Sequence, residues 1–532
     1  MIWRRPHAAR TLERPADMRP GCTAYASARL WIFLLAFALL SVGKVSTPHA
    51  QSEIRLAVTN LPPSQFNPYR NTGLPYVYTW SAVFDGLTAI DENGDVQPAL
   101  AKSWENIDPL TWVFHLRDDV TFSNGRPFTA DAAVFAVNFL RSEQAAREVV
   151  GRMMSFLAGA RALDDHTIEI TTSVPTPLLP RFFPQLYMVE PDHFAALGLE
   201  GFAADPIATG PFIVDDIGPA RVMFRAFRDG WRAPIADSLE ILGVPDNATR
   251  ALSVNAGALD VALSLGPEEA RTIRSAGGTS VSWRDAAIWA YNFIGGREPA
   301  LDDIRVREAL NLAVDRDAII EALLDGATIP ATQPAPPKVY GFNPDLPPIP
   351  YDPDRAKALL VEAGYADGFD IVVEGSAGSS ANDSAVNLTV AQFLGQVGVR
   401  MEVQTVNVNQ LIRNVVEGTW NGQAFALHYN HEPTSEVLRA LDTHSCLWSK
   451  PWYCNQAVMP LITAAQTEFD PALNLKLRQD VMAFYRNDWA ALFMYQAPRF
   501  AGLAPGVSGL TVVNNVVSYD TLSPASEAGP QD

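Results

Sequence analysis

Residues 370 to 403 place the strongest constraint on the fold, because two predicted strands there are joined by a predicted helix. Asp370 to Glu374 is a short apolar run, and Gly398 ends the helical pattern that follows it. The apolar positions are Val386, Val390, Phe393, Leu394 and Val397 in the helix, and Val399, Met401 and Val403 in the second strand. Two strands joined by a helix run parallel, so the chain is predicted to contain an α/β lobe.

Helix signals are also strong between residues 302 and 365. Asp302 or Asp303 is a plausible N-cap for one helix, and Asp315 for the next. A third helix has Asp352 at the N-cap position and Pro353 at the first helical position, and Gly364 supplies a left-handed end. The apolar stripe of the first helix consists of Val306, Ala309, Leu310, Ala313 and Val314. Each helix is therefore expected to bury one face.

Strand patterns dominate the first third of the chain. Glu53 to Val58 alternates apolar and polar residues, as a half-buried strand does. Trp112, Phe114 and Leu116 alternate in the same way, and Leu163 to Thr171 is predicted to form one further strand.

Composition indicates a large globular protein. Of 532 residues, 48% are hydrophobic and 19% are charged, which suits a protein of more than one lobe. The net charge is −19, and residues 1 to 50 hold seven basic and two acidic residues, so the remainder carries about −24. This excess of negative charge argues against nucleic acid or an anionic membrane as a partner of the body.

Residues 1 to 50 resemble a secretory signal peptide. The apolar run from Leu30 to Val42 follows Arg19 and Arg29, and its thirteen residues are too few to span a bilayer as a helix. Cleavage is expected near Ala50, and Met18 is an alternative start to Met1. The body is therefore expected to be exported to the periplasm.

Two cysteines remain in the predicted mature chain. Cys446 and Cys454 bracket the short loop CLWSKPWYC. In an oxidising compartment such a pair is expected to form a local disulfide, and two free buried thiols are the alternative.

No catalytic motif was found. The chain has no Gly-x-Ser-x-Gly elbow, no His-Glu-x-x-His and no phosphate-binding glycine loop, and the glycine-rich run after Glu374 is interpreted as a flexible connection. His428, His431 and His444 lie near the two cysteines, but their spacing matches no closed zinc site. We therefore predict no enzymatic activity, no bound metal and no cofactor.

The order of motifs resembles that of the ABC-importer solute-binding proteins that carry oligopeptides, dipeptides and nickel. Tyr291-Asn292-Phe293 precedes a D-x-R-V-R-x-A-L helix, a D-R-x-x-I helix and the segment YDPDRAKALLVEAGY. Upstream, PALAKSWE, a Phe-x-Leu-Arg strand, FTAD and Thr209-Gly210-Pro211-Phe212 also match the family pattern in order. The resemblance covers nearly all of residues 53 to 525.

This resemblance implies a two-lobed α/β periplasmic-binding-protein fold of type II, in the large cluster that has an extra N-terminal subdomain, with a hinge between the lobes. The expected boundaries are 1–50 for the signal peptide, 51–285 for lobe 1 with an inserted subdomain at about 88–207, 286–490 for lobe 2, and 491–532 for the return to lobe 1 and the C-terminal tail.

The resemblance also implies a ligand-lining segment formed by Phe425, Ala426, His428, Tyr429 and Asn430. In peptide binders of the family this segment supplies an Asp that pairs with the α-amino group of the peptide, and His428 occupies that position here. A buried ammonium needs a carboxylate partner, so a free-amine peptide requires Glu432 or another acidic residue to replace the Asp. An opine-like conjugate, a blocked peptide or a sugar is the alternative solute, and His428 as a packed core residue is the alternative interpretation.

Further lining residues come from the same resemblance. They are Asn60, Phe66, Thr209, Gly210, Tyr291, Asn292 and Tyr495. Aromatic and amide side chains would hold a solute by stacking and hydrogen bonding.

The expected function is that of a monomeric periplasmic protein that captures a small solute by hinge closure and passes it to an ABC permease in the inner membrane. Three alternatives stay open: a secreted hydrolase, a carrier of nickel or a metal chelate, and a binding protein that reports to a sensor.

Overall fold

The computed structural model describes residues 52–70, 73–376 and 380–525. The predicted signal peptide, its start and its cleavage site lie outside this range. Eighteen strands are present in the described residues: β1 (Glu53–Val58), β2 (Thr88–Ile90), β3 (Val96–Pro98), β4 (Ala101–Asp108), β5 (Thr111–Leu116), β6 (Leu157–Asp164), β7 (Thr167–Thr172), β8 (Phe212–Ile217), β9 (Arg221–Ala226), β10 (Ser238–Gly243), β11 (Val261–Leu265), β12 (Thr279–Phe293), β13 (Phe369–Ser376), β14 (Val399–Val406), β15 (Ala424–Asn430), β16 (Ala491–Leu503), β17 (Val512–Val513) and β18 (Val516–Val517).

Helices connect most of these strands. In the described residues they are α1 (Tyr76–Trp80), α2 (Ala130–Leu140), α3 (Val149–Met153), α4 (Pro191–Ala204), α5 (Asn247–Asn255), α6 (Pro267–Ser275), α7 (Pro299–Asp302), α8 (Ile304–Leu312), α9 (Arg316–Leu324), α10 (Pro353–Glu362), α11 (Asp383–Gln396), α12 (Val408–Glu417), α13 (Leu438–Leu441), α14 (Met459–Thr467) and α15 (Pro471–Asn487).

One mixed sheet of ten strands runs through the whole body, in the order β14-β13-β15-β12-β16-β11-β1-β10-β9-β8. We call the half with β8, β9, β10, β1 and β11 lobe 1, and the half with β13, β14 and β15 lobe 2. In lobe 2, β13 and β14 pair in parallel over eight residues and α11 joins them. The predicted parallel unit at residues 370 to 403 is therefore confirmed, as is the two-lobed α/β fold.

The long strands β12 and β16 belong to both lobes. Their antiparallel pairing runs from Thr279 opposite Leu503 in lobe 1 to Asn292 opposite Ala491 in lobe 2. The register shifts between Arg284 and Ile288, which locally interrupts the ladder. This interruption marks the junction at which the two lobes meet.

A separate four-stranded sheet, in the order β4-β5-β7-β6, forms a subdomain beside lobe 1. The prediction of one strand from Leu163 to Thr171 is wrong, because this stretch contains the turn of a hairpin. β6 ends at Asp164, and the backbone N–H of His166 donates to Asp164 Oδ1 at 2.8 Å. The Asp side chain thereby closes the turn in place of a continuing ladder.

Three helices begin directly after the aspartates that the sequence offers as N-caps. Asp303, Asp315 and Asp352 each accept a hydrogen bond from a backbone N–H in the first turn of α8, α9 and α10. The five residues of the predicted apolar stripe are buried in the core of lobe 2, although α8 itself ends at Leu312, before Ala313 and Val314. α9 ends at Leu324, and Asp325 follows it in the left-handed conformation.

Candidate ligand site at the lobe junction

A cavity of about 420 Å³ lies beside the register shift in β12. Its walls are the edge of β12 from Val281 to Ala286, which β15 leaves unpaired, together with parts of the subdomain, lobe 2 and the C-terminal segment. The other wall segments are the β2–β3 turn at Asp91–Gly94, the loop Pro337–Val339 and the stretch Leu510–Asn514. We call this cavity the hinge pocket. Its volume falls in the range of small-molecule sites.

Three ionisable side chains lie together here: Asp285 and Glu432 line the hinge pocket, and Arg499 lies behind them. Arg499 on β16 donates from Nε to Asp285 Oδ2 at 2.5 Å; the Asp285 side chain is buried, and that of Arg499 is 22% exposed. Glu432, which follows β15, accepts from the backbone N–H of Ala286 at 3.3 Å, and its other oxygen accepts from the Asn515 amide. We call Asp285, Arg499 and Glu432 the hinge triad.

Burial governs the protonation of the hinge triad. It raises the pKa of Asp285 although Arg499 opposes the shift, and it raises the pKa of Glu432 with a further contribution from the nearby Asp285 charge. Asp285 is paired with a guanidinium and Glu432 is not. Glu432 is therefore the member of the triad that holds a proton near neutral pH.

His428 lies on β15 opposite Trp289 of β12, with the two ring centroids 4.7 Å apart. The residue is partly exposed, but its Nε2 atom is buried and has no hydrogen-bond partner among the described residues. Burial, together with the charge of Arg499, lowers the pKa of His428 to about 3. The imidazole is thus neutral at physiological pH and cannot replace a carboxylate.

The other members of the predicted ligand-lining segment divide between the two faces of β15, because side chains alternate along a strand. Phe425 is fully buried and stacks on Trp420 with centroids 4.0 Å apart. Tyr429 is fully buried and stacks on His444 at 3.7 Å. These two side chains therefore pack in the core of lobe 2. The resemblance implied that they would line one surface together with Ala426, His428 and Asn430, and they do not. Ala426 is also buried, and Asn430 is exposed.

The remaining predicted residues near the crossing strands make structural contacts. Tyr291 donates its hydroxyl hydrogen to Asn387 Oδ1 at 2.6 Å, and Asn292 donates to the backbone oxygen of Leu427 at 3.1 Å. Tyr495 is fully buried, and no described residue forms a hydrogen bond with its hydroxyl. None of the three lines the hinge pocket.

The lobe 1 residues lie elsewhere. Thr209 donates to Asp85 Oδ2 at 2.8 Å, and a side chain at Gly210 would meet the backbone of Val83. Asn60 and Phe66 line a second cavity of about 480 Å³ at the end of β1. The structure thus does not bring the predicted lining residues together in one site.

The sequence interpretation missed Asp285 and Arg499 and named Glu432 only as a possible substitute. Asp285 is a charged residue inside the 15-residue strand β12, followed directly by the apolar run from Ala286 to Ala290. A buried charge in such a position needs a partner from elsewhere in the chain, and this is the signal that could have identified it.

The histidines and cysteines considered as metal ligands make other contacts. Cys446 and Cys454 are joined in a disulfide. The ring nitrogens of His431 lie 3.1 Å from the backbone oxygen of Glu436 and 3.0 Å from that of Pro334. Among residues 52–70, 73–376 and 380–525, no group of three or more His, Cys, Asp or Glu side chains is arranged to hold a metal ion. In the same ranges, no helix has the length and apolar character needed to cross a membrane.

Comparison with known proteins identifies the family. Residues 95–445 match the family model described as "Bacterial extracellular solute-binding proteins, family 5 Middle". The chain belongs to family 5 of the bacterial extracellular solute-binding proteins. This agrees with the resemblance found in the sequence motifs.

Other family 5 relatives align over much of the chain. Heme-binding protein A of Haemophilus influenzae is 33% identical over 325 residues, which are 56% of this chain and 59% of that relative. The glutathione-binding protein GsiB of Escherichia coli is 26% identical over 483 residues, covering 86% of this chain and 92% of GsiB.

Solved structures share the fold. The Listeria monocytogenes ABC transporter substrate-binding protein CtaP superposes with a TM-score of 0.80 at 19% identity, over 90% of this chain and 100% of CtaP. The Helicobacter pylori protein DppA, solved in complex with the peptide STSA, gives 0.72 at 18% identity, over 90% and 99%. At these identities the comparison supports the two-lobed fold of the family 5 protein.

Proposed function

We propose that this family 5 protein is exported to the periplasm, captures a small peptide-like solute in the hinge pocket and delivers it to an ABC permease in the inner membrane. It acts as a monomer and performs no chemistry on the solute. The observation that carries the proposal is a cavity of about 420 Å³ whose walls come from both lobes and the subdomain, at the point where the crossing strands change register.

A site of this construction couples binding to closure. A solute in the hinge pocket would touch Glu432 and Val339 of lobe 2 and the turn at Asp91–Gly94 at once, so the closed arrangement gains contacts that an open one lacks. A micromolar affinity, about −8 kcal/mol, is ample to favour closure. In this proposal residues 51–285 and 491–532 move as lobe 1, with the subdomain at about 88–207, and residues 286–490 move as lobe 2.

Relatives of this chain suggest the class of solute. GsiB is named for glutathione, and the DppA structure holds the tetrapeptide STSA. We therefore propose peptides of two to four residues as the first solutes to test, with opine-like conjugates and sugars as the alternatives.

Native mass spectrometry of the purified mature protein, followed by a thermal-shift screen of peptides, opines, sugars and nickel, tests this function. We expect at least one organic solute to raise the melting temperature by several degrees, because a ligand that binds only the folded state stabilises it. If no compound in the screen stabilises the protein and the protein hydrolyses a peptide or glycan, the proposal is wrong.

A further inference from the structure

We propose that a groove between lobe 1 and the subdomain binds an oxyanion of the phosphate type through Arg70, Arg147 and Arg152. We call it the arginine groove. It shares no lining residue with the hinge pocket. The proposal therefore adds a second binding site to the protein and does not depend on the identity of the solute.

Two adjoining cavities, of about 360 and 550 Å³, form the arginine groove. Arg70 and Arg147 line both cavities, and Arg152 lines the smaller one. The other residues that the two cavities have in common are Pro63, Ser64 and Glu148. Each cavity is large enough for a small ion or molecule.

The three arginines come from different elements of the fold. Arg70 belongs to the loop between β1 and α1, Arg147 ends the short 3-10 turn Ala145–Arg147, and Arg152 lies on α3. The backbone N–H of Val150 donates to the backbone oxygen of Tyr69 at 3.2 Å, which holds the start of α3 against the Arg70 loop. One side chain of lobe 1 and two of the subdomain therefore reach the same groove.

Carboxylates do not balance these three arginines. Nη1 of Arg70 lies 3.3 and 3.2 Å from the two carboxylate oxygens of Glu148, whose side chain is only 8% exposed. Among residues 52–70, 73–376 and 380–525, no carboxylate forms an ion pair with Arg147 or Arg152. Glu200 lines only the larger cavity. The smaller cavity thus has three arginines and one glutamate in its wall, a net charge of +2, in a protein whose body is strongly negative.

Arg147 and Arg152 have donors to spare. Nη1 of Arg152 donates to the backbone oxygen of Arg147 at 2.8 Å, which orders the Arg152 side chain but uses only one of the five N–H donors of a guanidinium. The Arg147 guanidinium makes no hydrogen bond with a described residue, and both side chains are exposed. Two like charges therefore line one cavity without a counter-charge, and an anion between them would replace their repulsion with attraction.

The directions of the three arginines favour a tetrahedral oxyanion. A guanidinium presents a planar fork of donors that matches two oxygens of a carboxylate or a phosphate. A carboxylate has only two oxygens, in one plane, and a single bidentate contact engages both. Phosphate has oxygens in four directions, so arginines from the loop, the 3-10 turn and α3 can each bind a different pair. Ser64 and Tyr76 add hydroxyl-bearing side chains to the same wall.

A bound oxyanion would connect Arg70 of lobe 1 to Arg147 and Arg152 of the subdomain. It should therefore stabilise the folded protein, because it binds the assembled groove and not the unfolded chain. The Arg70 side chain is 58% exposed, so added salt should screen the attraction and weaken binding.

The first test is isothermal titration calorimetry of the purified mature protein with inorganic phosphate at pH 8 and low ionic strength, where most phosphate is the dianion. We expect one saturable site with a Kd below about 1 mM. Succinate, and sodium chloride at the same ionic strength, should bind at least tenfold more weakly. If phosphate does not bind, or if succinate or chloride binds as tightly, the proposal is wrong. The function proposed for the hinge pocket stands or falls separately, in the screen of organic solutes.

The second test changes the groove itself. Arg147→Gln should weaken phosphate binding at least tenfold and should keep the melting temperature of the unaltered protein when phosphate is absent, because the Arg147 side chain is exposed. Arg413→Gln is the matched control: it removes the same charge from an exposed arginine on α12 that does not line the groove. It should bind phosphate as the unaltered protein does. Equal affinities of the two variants would overturn the assignment of the site.

Discussion

Arg499 and Asp285 join the two crossing strands at the lobe junction, with Arg499 Nε 2.5 Å from Asp285 Oδ2. The contact lies next to the register shift between β12 and β16. Gln496, three residues before Arg499, donates its amide to the backbone oxygen of Asp285 at 2.8 Å. The ladder is therefore interrupted at this point, but side chains hold the two strands together.

Removal of one partner from this buried pair should be strongly destabilising. We expect Arg499→Met to lower the free energy of unfolding by about 3–5 kcal/mol, because it leaves the Asp285 carboxylate buried without a counter-charge. Arg400→Met is the matched control, since Arg400 pairs with Asp370 at the surface, where both side chains are more than half exposed. Its loss should be below about 1 kcal/mol. If the two variants lose equal free energies of unfolding in urea, the Arg499–Asp285 pair contributes no more to stability than an exposed surface pair.

His444 should make the protein less stable in acid. The residue is 1% exposed, and burial, with a smaller contribution from His431, lowers its pKa to about 3. Since the unfolded imidazole titrates near 6.5, the stability that His444 contributes is present above pH 6.5 and is lost as the pH falls. At pH 5 this loss is about 2 kcal/mol.

We therefore expect His444→Gln to reduce the difference between the unfolding free energies at pH 7 and pH 5 by about 2 kcal/mol. Glu432 has the opposite effect on the pH dependence of stability. Its raised pKa means that the folded state binds the proton more tightly than the unfolded state does, so acid favours folding at this residue. It is present in both proteins, so its effect cancels in the comparison. If His444→Gln leaves the pH dependence of the unfolding free energy unchanged, the pKa of His444 is not lowered in the folded protein.

The disulfide between Cys446 and Cys454 closes the loop that carries Trp452 into an aromatic cluster with Trp420 and Phe425. We expect the double variant with Ala at both cysteines to lose about 2–3 kcal/mol, chiefly because the unfolded chain gains freedom. Reduction of the unaltered protein should lower the melting temperature by the same amount as the double substitution. A reductant that lowers the melting temperature of the cysteine-free variant as well would contradict this explanation.

Local features of the fold could be predicted from the sequence, and long-range ones could not. The caps at Asp303, Asp315 and Asp352 and the parallel unit around α11 depend on neighbouring residues, so their patterns were sufficient. The face on which each residue of β15 lies depends on register with β12, which sequence alternation alone does not fix.

The hinge triad could not be predicted from the sequence for the same reason. Its members come from β12, the stretch after β15 and β16, and the interruption of the ladder at Arg284 changes which residues face each other. The motif resemblance led instead to β15, where Phe425 and Tyr429 proved to be core residues.

Gly94 should control how the subdomain meets lobe 2. It has a φ of +81°, and a Cβ there would lie 1.7 Å from the backbone oxygen of Lys338. Arg181 strengthens the same contact by donating to the backbone oxygens of Gly94 and Ser435 at 2.8 and 3.1 Å. An alanine at Gly94 must therefore separate the β2–β3 turn from the loop at Pro337–Val339, and with it one wall of the hinge pocket.

Gly125 provides the control for this substitution, because its φ is +83° and a Cβ there would meet no atom within 4 Å. Both alanine variants should lose about 1 kcal/mol from the left-handed backbone conformation. Gly94→Ala should lose at least about 2 kcal/mol more in urea unfolding, because only this variant breaks the contact between the subdomain and lobe 2. It should also bind the solute identified in the thermal-shift screen at least tenfold more weakly. If the two variants behave alike in both measurements, the contact does not contribute to closure of the pocket.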